Sequence, residues 1–333
     1  MYMDRGALAA LITTLEDDPD LNLSNFDAGV LGSVFMFGFM LASPLFANAS
    51  QTIHAFTLIS IGVSIWAGSA LLAAISRTFW LLVLARTLSG IGEASFVCLA
   101  APIILSKAPA DKKNLWISIF YSALTIGYAL GYVVAGPIKN GFGGWYYVFY
   151  LEVIVSVPFI IISVFAYRDP SLVFKKEHKV NLGTQIKQLS QNTVYVYLVL
   201  GYGAYTFTVG GLAFWGPTIL QQEYDKSEGT ASFSLGAITI VSGLIATVIG
   251  SQLLEKMIRP FRLEFESNKI SLKKYSYYIT EKATKLIVRF VLLAFLISIV
   301  GAVFAVLIPG PRSEGPFAFF LLCIAIGEFI LFL

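Results

Sequence analysis

The stretch "LARTLSGIGEASF", residues 84–96, decides how this chain is read. It lies inside an apolar run from 79 to 106 and carries Arg86 and Glu93 with no polar loop nearby. A run of that length exceeds the roughly 20 residues that cross a hydrocarbon core about 30 Å thick. A charge at such depth costs at least about 2.5–3.5 kcal/mol on insertion scales, so it faces a partner or a watery cavity. Arg86 and Glu93 share one helix face, but their spacing separates them by roughly 10 Å along the axis. Each therefore needs a partner from another helix.

Working outward, the same apolar texture fills the chain. Of 333 residues, 57% are hydrophobic and 13% charged, against about 25% charged in an ordinary soluble domain. Ten segments are long and apolar enough to read as spans: 1–16, 28–49, 53–75, 79–106, 114–136, 145–167, 194–220, 232–255, 287–308 and 316–333. Long apolar runs with internal glycines suit helices and not the short alternating strands of a barrel, so the expected class is an all-α polytopic membrane protein. With the N-terminus cytoplasmic, most of the 23 lysines and arginines fall on one side, in the loops at 107–113, 168–193 and 256–289. The other side is acidic. The positive-inside rule selects that orientation.

Six spans, a long basic loop and then more spans predict two helical bundles: residues 1–167, a cytoplasmic linker at 168–193, and a second bundle over 194–333. The first and last apolar segments read as cut short, so the chain is expected to be part of a longer, twelve-span protein. A short amphipathic helix on the inner membrane surface, or a flexible basic loop, is expected around 271–290. Cys98 and Cys323 both lie in apolar runs and read as small buried hydrophobes, not a disulfide. The opening "MYMDRG" lacks the layout of a signal peptide. No phosphate-binding "GKS/T" loop or metal-ligand spacing is visible, so no cofactor, metal or ATP-driven chemistry is implied, and an enzyme is not expected.

The intramembrane charges are Asp4, Arg5, Arg86, Glu93 and Glu328. The smallest consistent scheme pairs Asp4 with Arg86. Glu93, if less well paired, becomes the carboxylate that takes and releases a proton, as proton-coupled transport requires. Arg5 is expected either in this cluster or drawn toward the inner surface. Glu152 lies about two turns into the sixth span and is expected near the interface or an outer vestibule. A structural salt-bridge cluster that only fixes helix packing is the alternative for all of them. Tyr2 and Tyr121 are weaker candidates for the same site. Glycines give a second signal. Gly127 and Gly131 lie one turn apart on the fifth span, which ends at Gly136-Pro137, and they predict a close helix contact. Gly210-Gly211 and Gly216-Pro217 in the seventh span predict a bend or unwound point.

The segments "YMDRGALAALITTLE", "LARTLSGIGEASF", "SIFYSALTIGYALGYVVAGP" and "IGEFIL" together resemble Spinster-type transporters of the major facilitator superfamily. The resemblance covers nearly the whole chain in order. It implies two pseudo-symmetric six-helix bundles, alternating access, and transport of lysophospholipids or sphingoid lipids that is proton-linked or otherwise coupled. By motif, Asp4, Arg5, Arg86 and Glu93 form the coupling and headgroup-binding cluster, and Glu328 is the acidic residue of the tenth span. It implies an amphiphilic lipid or small-molecule substrate, protons and membrane lipids as partners, no nucleic acid, a monomer, and a lysosomal, vacuolar or plasma membrane. One segment departs from the family: the loop between the second and third spans, "ASPLFANASQTIHAF", lacks the usual acidic and basic latch. Two other functions share these charges: a carrier of small organic anions or sugars, and a non-transporting receptor or scaffold.

Overall fold

The computed structural model describes residues 1–109, 112–165, 182–222 and 224–266, and these are helical or in short turns. The helices are α1 (Tyr2–Glu16), α2 (Asn25–Ala49), α3 (Ala55–Ala74), α4 (Phe79–Lys107), α5 (Lys113–Phe142), α6 (Tyr146–Phe165), α7 (Leu182–Gln191), α8 (Thr193–Gln222) and α9 (Glu228–Glu266). Among the described residues, six helices are long and apolar enough to cross a membrane: α2 to α6 and the first half of α9. The expected spans at 287–308 and 316–333, the segment 271–290, Cys323 and Glu328 lie outside the described residues.

The chain divides into two compact units, Met1–Phe120 with Leu130–Thr184, and Tyr121–Ala129 with Gln185–Leu333. In the first, α4 packs on α2 and α3, α3 packs on α6, and α1 meets both α2 and α6. Residues 6–12 of α1 are buried without interruption, so this helix is enclosed on every side and presents no face to lipid. By contrast α2 buries Ala28, Leu31, Phe35, Gly38 and Ala42, a stripe at helical spacing. Its other face leaves Phe37, Met40, Leu41 and Leu45 exposed. An apolar residue turned outward on a helix of this kind is what a lipid-facing surface needs. In the second unit, α8 packs against α9.

Local chemistry sets the helix ends. Ser24 caps α2 through a capping box: its hydroxyl accepts from the Asp27 N–H at 3.2 Å, and the Asp27 carboxylate accepts from the Ser24 N–H at 3.0 Å. The turn between α2 and α3 is held by uncharged groups. Ser50 donates to the Ala47 carbonyl at 2.8 Å, and His54 Nδ1 accepts from the Phe56 N–H at 3.3 Å as the α3 cap. At the opposite end of the unit, Trp145 Nε1 donates to Asp18 at 2.6 Å, Lys139 Nζ donates to Thr14 at 3.0 Å, and Arg77 lies over the Tyr146 ring at 4.9 Å.

Three expected boundaries are corrected. Helix α5 does not end at Gly136-Pro137; it runs through both to Phe142 and stops where Gly143 adopts φ +78°, a left-handed cap that a residue with a Cβ disfavours. Helix α8 passes through Gly210-Gly211 and Gly216-Pro217 as one helix, so the expected unwound point is not there. Helix α9 continues eleven residues past the expected end at 255, as far as Glu266. The stretch expected as the linker, 168–193, contains the helix Leu182–Gln191.

Candidate functional site

The site grows from two adjacent residues near the start of α1. Consecutive positions on a helix point about 100° apart, so Asp4 and Arg5 address different neighbours. Arg86 Nη1 donates to both oxygens of Asp4, at 2.7 and 2.8 Å, and the Ser89 hydroxyl donates to Asp4 Oδ2 at 3.2 Å. Arg5 Nη2 donates to Glu93 Oε1 at 2.7 Å. Thus α4 supplies one cation and one carboxylate, α1 supplies the complementary two, and the register of the two helices lets both pairs close. Asp4, Arg86 and Glu93 are 2%, 3% and 0% exposed, so none of them points toward lipid.

The expected Asp4–Arg86 pair is present. Of the two places open to Arg5, the structure has it in the cluster, against Glu93, and the condition of a less well paired Glu93 is not met because Arg5 lies on it. The residue that lacks a partner is Glu152. It is 1% exposed, and neither of its carboxylate oxygens has a hydrogen-bond partner among the described residues. Helix α6 places it beside Asp4 and Arg86, whose charges act on it.

Sequence reading missed Phe35 and Ser89. The Phe35 ring lies 4.4 Å from the Arg5 guanidinium and 5.2 Å from that of Arg86, so one aromatic face serves each of two cations. Tyr2 adds a ring at 4.7 Å from Arg5, which brings that weaker candidate into the site. Phe35 can lie this close because Gly90 of α4 packs directly on the backbone at Phe35 and Phe39; a Cβ there would collide with the Phe35 carbonyl. The buried spacing of Phe35 with Leu31 and Gly38 was a usable signal, but phenylalanines are too common here for it to stand out. Ser89 was legible as a hydroxyl one turn from Arg86.

Of the glycines, Gly131 makes the expected close contact: a Cβ would strike the Met3 carbonyl and the Ala7 N–H, so α5 packs backbone to backbone on α1 beside the charged residues. Gly127 and Gly136 are only partly buried within α5. Among the described residues nothing lies within 4 Å of a Cβ at Gly210 or Gly211. Tyr121 is 50% exposed and Glu328 lies outside the described residues.

With that geometry in hand, three comparisons bear on the chain. The profile of the Major Facilitator Superfamily matches residues 1–333. Among curated proteins, the chain is 34% identical over 270 residues to a probable sphingolipid transporter, spinster homolog 1, of Arabidopsis thaliana, covering 72% of this chain and 54% of that protein. It is 28% identical over 269 residues to the sphingosine-1-phosphate transporter of Danio rerio, covering 75% of this chain and 53% of that one. The chain thus spans about half the length of the curated relatives it matches. Among solved structures, an inward-facing, unoccupied bacterial homolog of the human lysosomal transporter Spinster superposes with a TM-score of 0.66 at 19% identity, over 99% of this chain and 70% of that one. The last likeness speaks to the fold.

Proposed function

Because the chain belongs to the Major Facilitator Superfamily, a family of transporters and not enzymes, we propose that it is part of a secondary carrier of lysophospholipids or sphingoid lipids. In this reading residues 1–167 form one helical bundle, 168–193 link it to a second over 194–333, and alternating access carries the substrate between the two faces of the membrane. The observation that carries the proposal is the double ion pair Asp4–Arg86 and Arg5–Glu93, held between helices of a multi-pass membrane protein with Arg5 as its one partly exposed member. Removing one member of such a pair costs about 3–5 kcal/mol, while hydrophobic residues of similar volume hold a bundle together as well or better. A cluster kept only for stability is therefore the weaker reading.

The chemistry suits an amphiphile with an anionic headgroup. Arg5 and Arg86 are fixed-charge donors with planar forks that match a phosphate. Asp4 and Glu93 hold them while the headgroup is absent and release them when it arrives. A substrate that displaces a carboxylate leaves that carboxylate to be neutralised, and a proton does so; this links transport to protons. The names of the plant and fish relatives support a sphingoid substrate. A lysosomal, vacuolar or plasma membrane, and a monomer, complete the reading.

Flux of a labelled lysophospholipid and of sphingosine-1-phosphate into liposomes bearing the full-length protein tests it. Uptake that is lost in Arg86→Ala and Arg5→Ala supports the carrier. Competition by sugars or small carboxylates, but not by lysolipids, overturns the substrate class, and absence of any flux overturns the carrier in favour of a receptor or scaffold.

A further inference from the structure

The buried charges around α1 do not balance. Among the described residues the cluster holds three carboxylates, Asp4, Glu93 and Glu152, and two guanidiniums, Arg5 and Arg86. Arg5 answers Glu93 and Arg86 answers Asp4. Glu152 is the surplus. The start of α1 at Met1 also faces it, and that residue is partly exposed. Both oxygens of Glu152 are buried and neither accepts a hydrogen bond. Asp4 lies across the α1–α6 contact from it, and the charge of Asp4 acts on it. Two ionised carboxylates have no proton to share and repel each other; a carboxylic acid facing a carboxylate has one to give. Asp4 is already committed as acceptor, with Arg86 on both oxygens and Ser89 on one. That leaves Glu152 as the member placed to take a proton.

We propose that Glu152 is the proton-binding site of the carrier, its acid form removing the surplus negative charge beside Asp4 so that Arg86 can meet an anionic headgroup. This rests on the proton-linked reading above and names the group that takes the proton, in place of Glu93. The step balances simply. With the proton in place Glu152 adds no charge, two carboxylates answer two guanidiniums, and Arg86, whose Nε has no hydrogen-bond partner, turns to a phosphate. A water-borne base then removes the proton from Glu152; two carboxylates face one guanidinium, their surplus negative charge holds Arg86 between them, and the anion is expelled. Proton and headgroup thus bind together through one arginine, and neither needs to touch the other.

The test uses the full-length protein in liposomes with two readouts. In pH-titrated infrared difference spectra, a carbonyl stretch of a buried protonated carboxylic acid is expected in the wild type, lost in Glu152→Gln, retained at a shifted frequency in Glu152→Asp, and retained in Glu93→Gln. A band that survives in Glu152→Gln, or disappears in Glu93→Gln, overturns the proposal. In flux, Glu152→Gln, which imitates the neutral acid in shape and charge, is expected to lose stimulation by a proton gradient while Glu152→Asp recovers part of it. Stimulation that persists in Glu152→Gln, or that a sodium gradient replaces in a Glu152-dependent way, also overturns it. If wild-type flux ignores the proton gradient altogether, the coupling reading fails on its own, and the spectra still decide whether Glu152 holds a proton.

Discussion

Helices α4 and α6 each bury a glutamate in the same unit and treat it differently. Glu93 of α4, fully buried, is met by Arg5 at 2.7 Å; Glu152 of α6 is equally inaccessible and is met by another acid. The cause lies in α1, which turns Arg5 toward one of them and Asp4 toward the other. Depth alone therefore does not tell a paired carboxylate from an unpaired one. What distinguishes them is the identity of the neighbour that a third helix delivers.

The strongest way to break this contrast is Arg86→Leu, which strands Asp4 beside Glu152 with no cation. Loss of about 3–5 kcal/mol is expected, read as a large fall in melting temperature in detergent, and the double variant with Asp4→Asn should recover much of it. Gly131→Val comes next. It forces α5 off the α1 backbone at Met3 and Ala7 and should cost about 1–3 kcal/mol, whereas Gly210→Val, with open space around it, should melt near the wild type. Phe35→Leu keeps an apolar side chain but removes the ring shared by the two guanidiniums; about 0.5–2 kcal/mol is expected, together with weaker binding of the anionic lipid. The smallest effect should come from Glu152→Gln, within about 1 kcal/mol, since no hydrogen bond to Glu152 is lost. A drop as large as that of Arg86→Leu would erase the difference between the two glutamates.

Much of this was legible in the amino-acid order, for a definite reason. Apolar runs place helices wherever a bilayer demands them, and a charge inside such a run announces that it has a partner. Asp4 and Arg86 could be matched because few opposite charges were available at that depth. The assignment of Arg5 to Glu93 could not be read, because it depends on the rotation of α1 against α4. Glu152 is expected near an interface from its distance to the helix start, a one-dimensional measure that says nothing of what buries it. Helix ends misled for a similar reason. Hydropathy falls away after 255 and at Gly136-Pro137, but a backbone already wound continues until something stops it, as Gly143 does for α5.

The length of α9 has a mechanical consequence. Its 39 residues make a rod of about 58 Å, nearly twice the roughly 30 Å thickness of the hydrocarbon layer. Wherever the bilayer grips it, a considerable stretch stands clear in the aqueous phase, with Lys256 and Arg259 exposed along it. Such an overhang is a pointer: a few degrees of lean within the lipid sweep its tip through a far wider arc, so a fluorescent or spin probe near Glu266 would report the tilting of the helix at high gain.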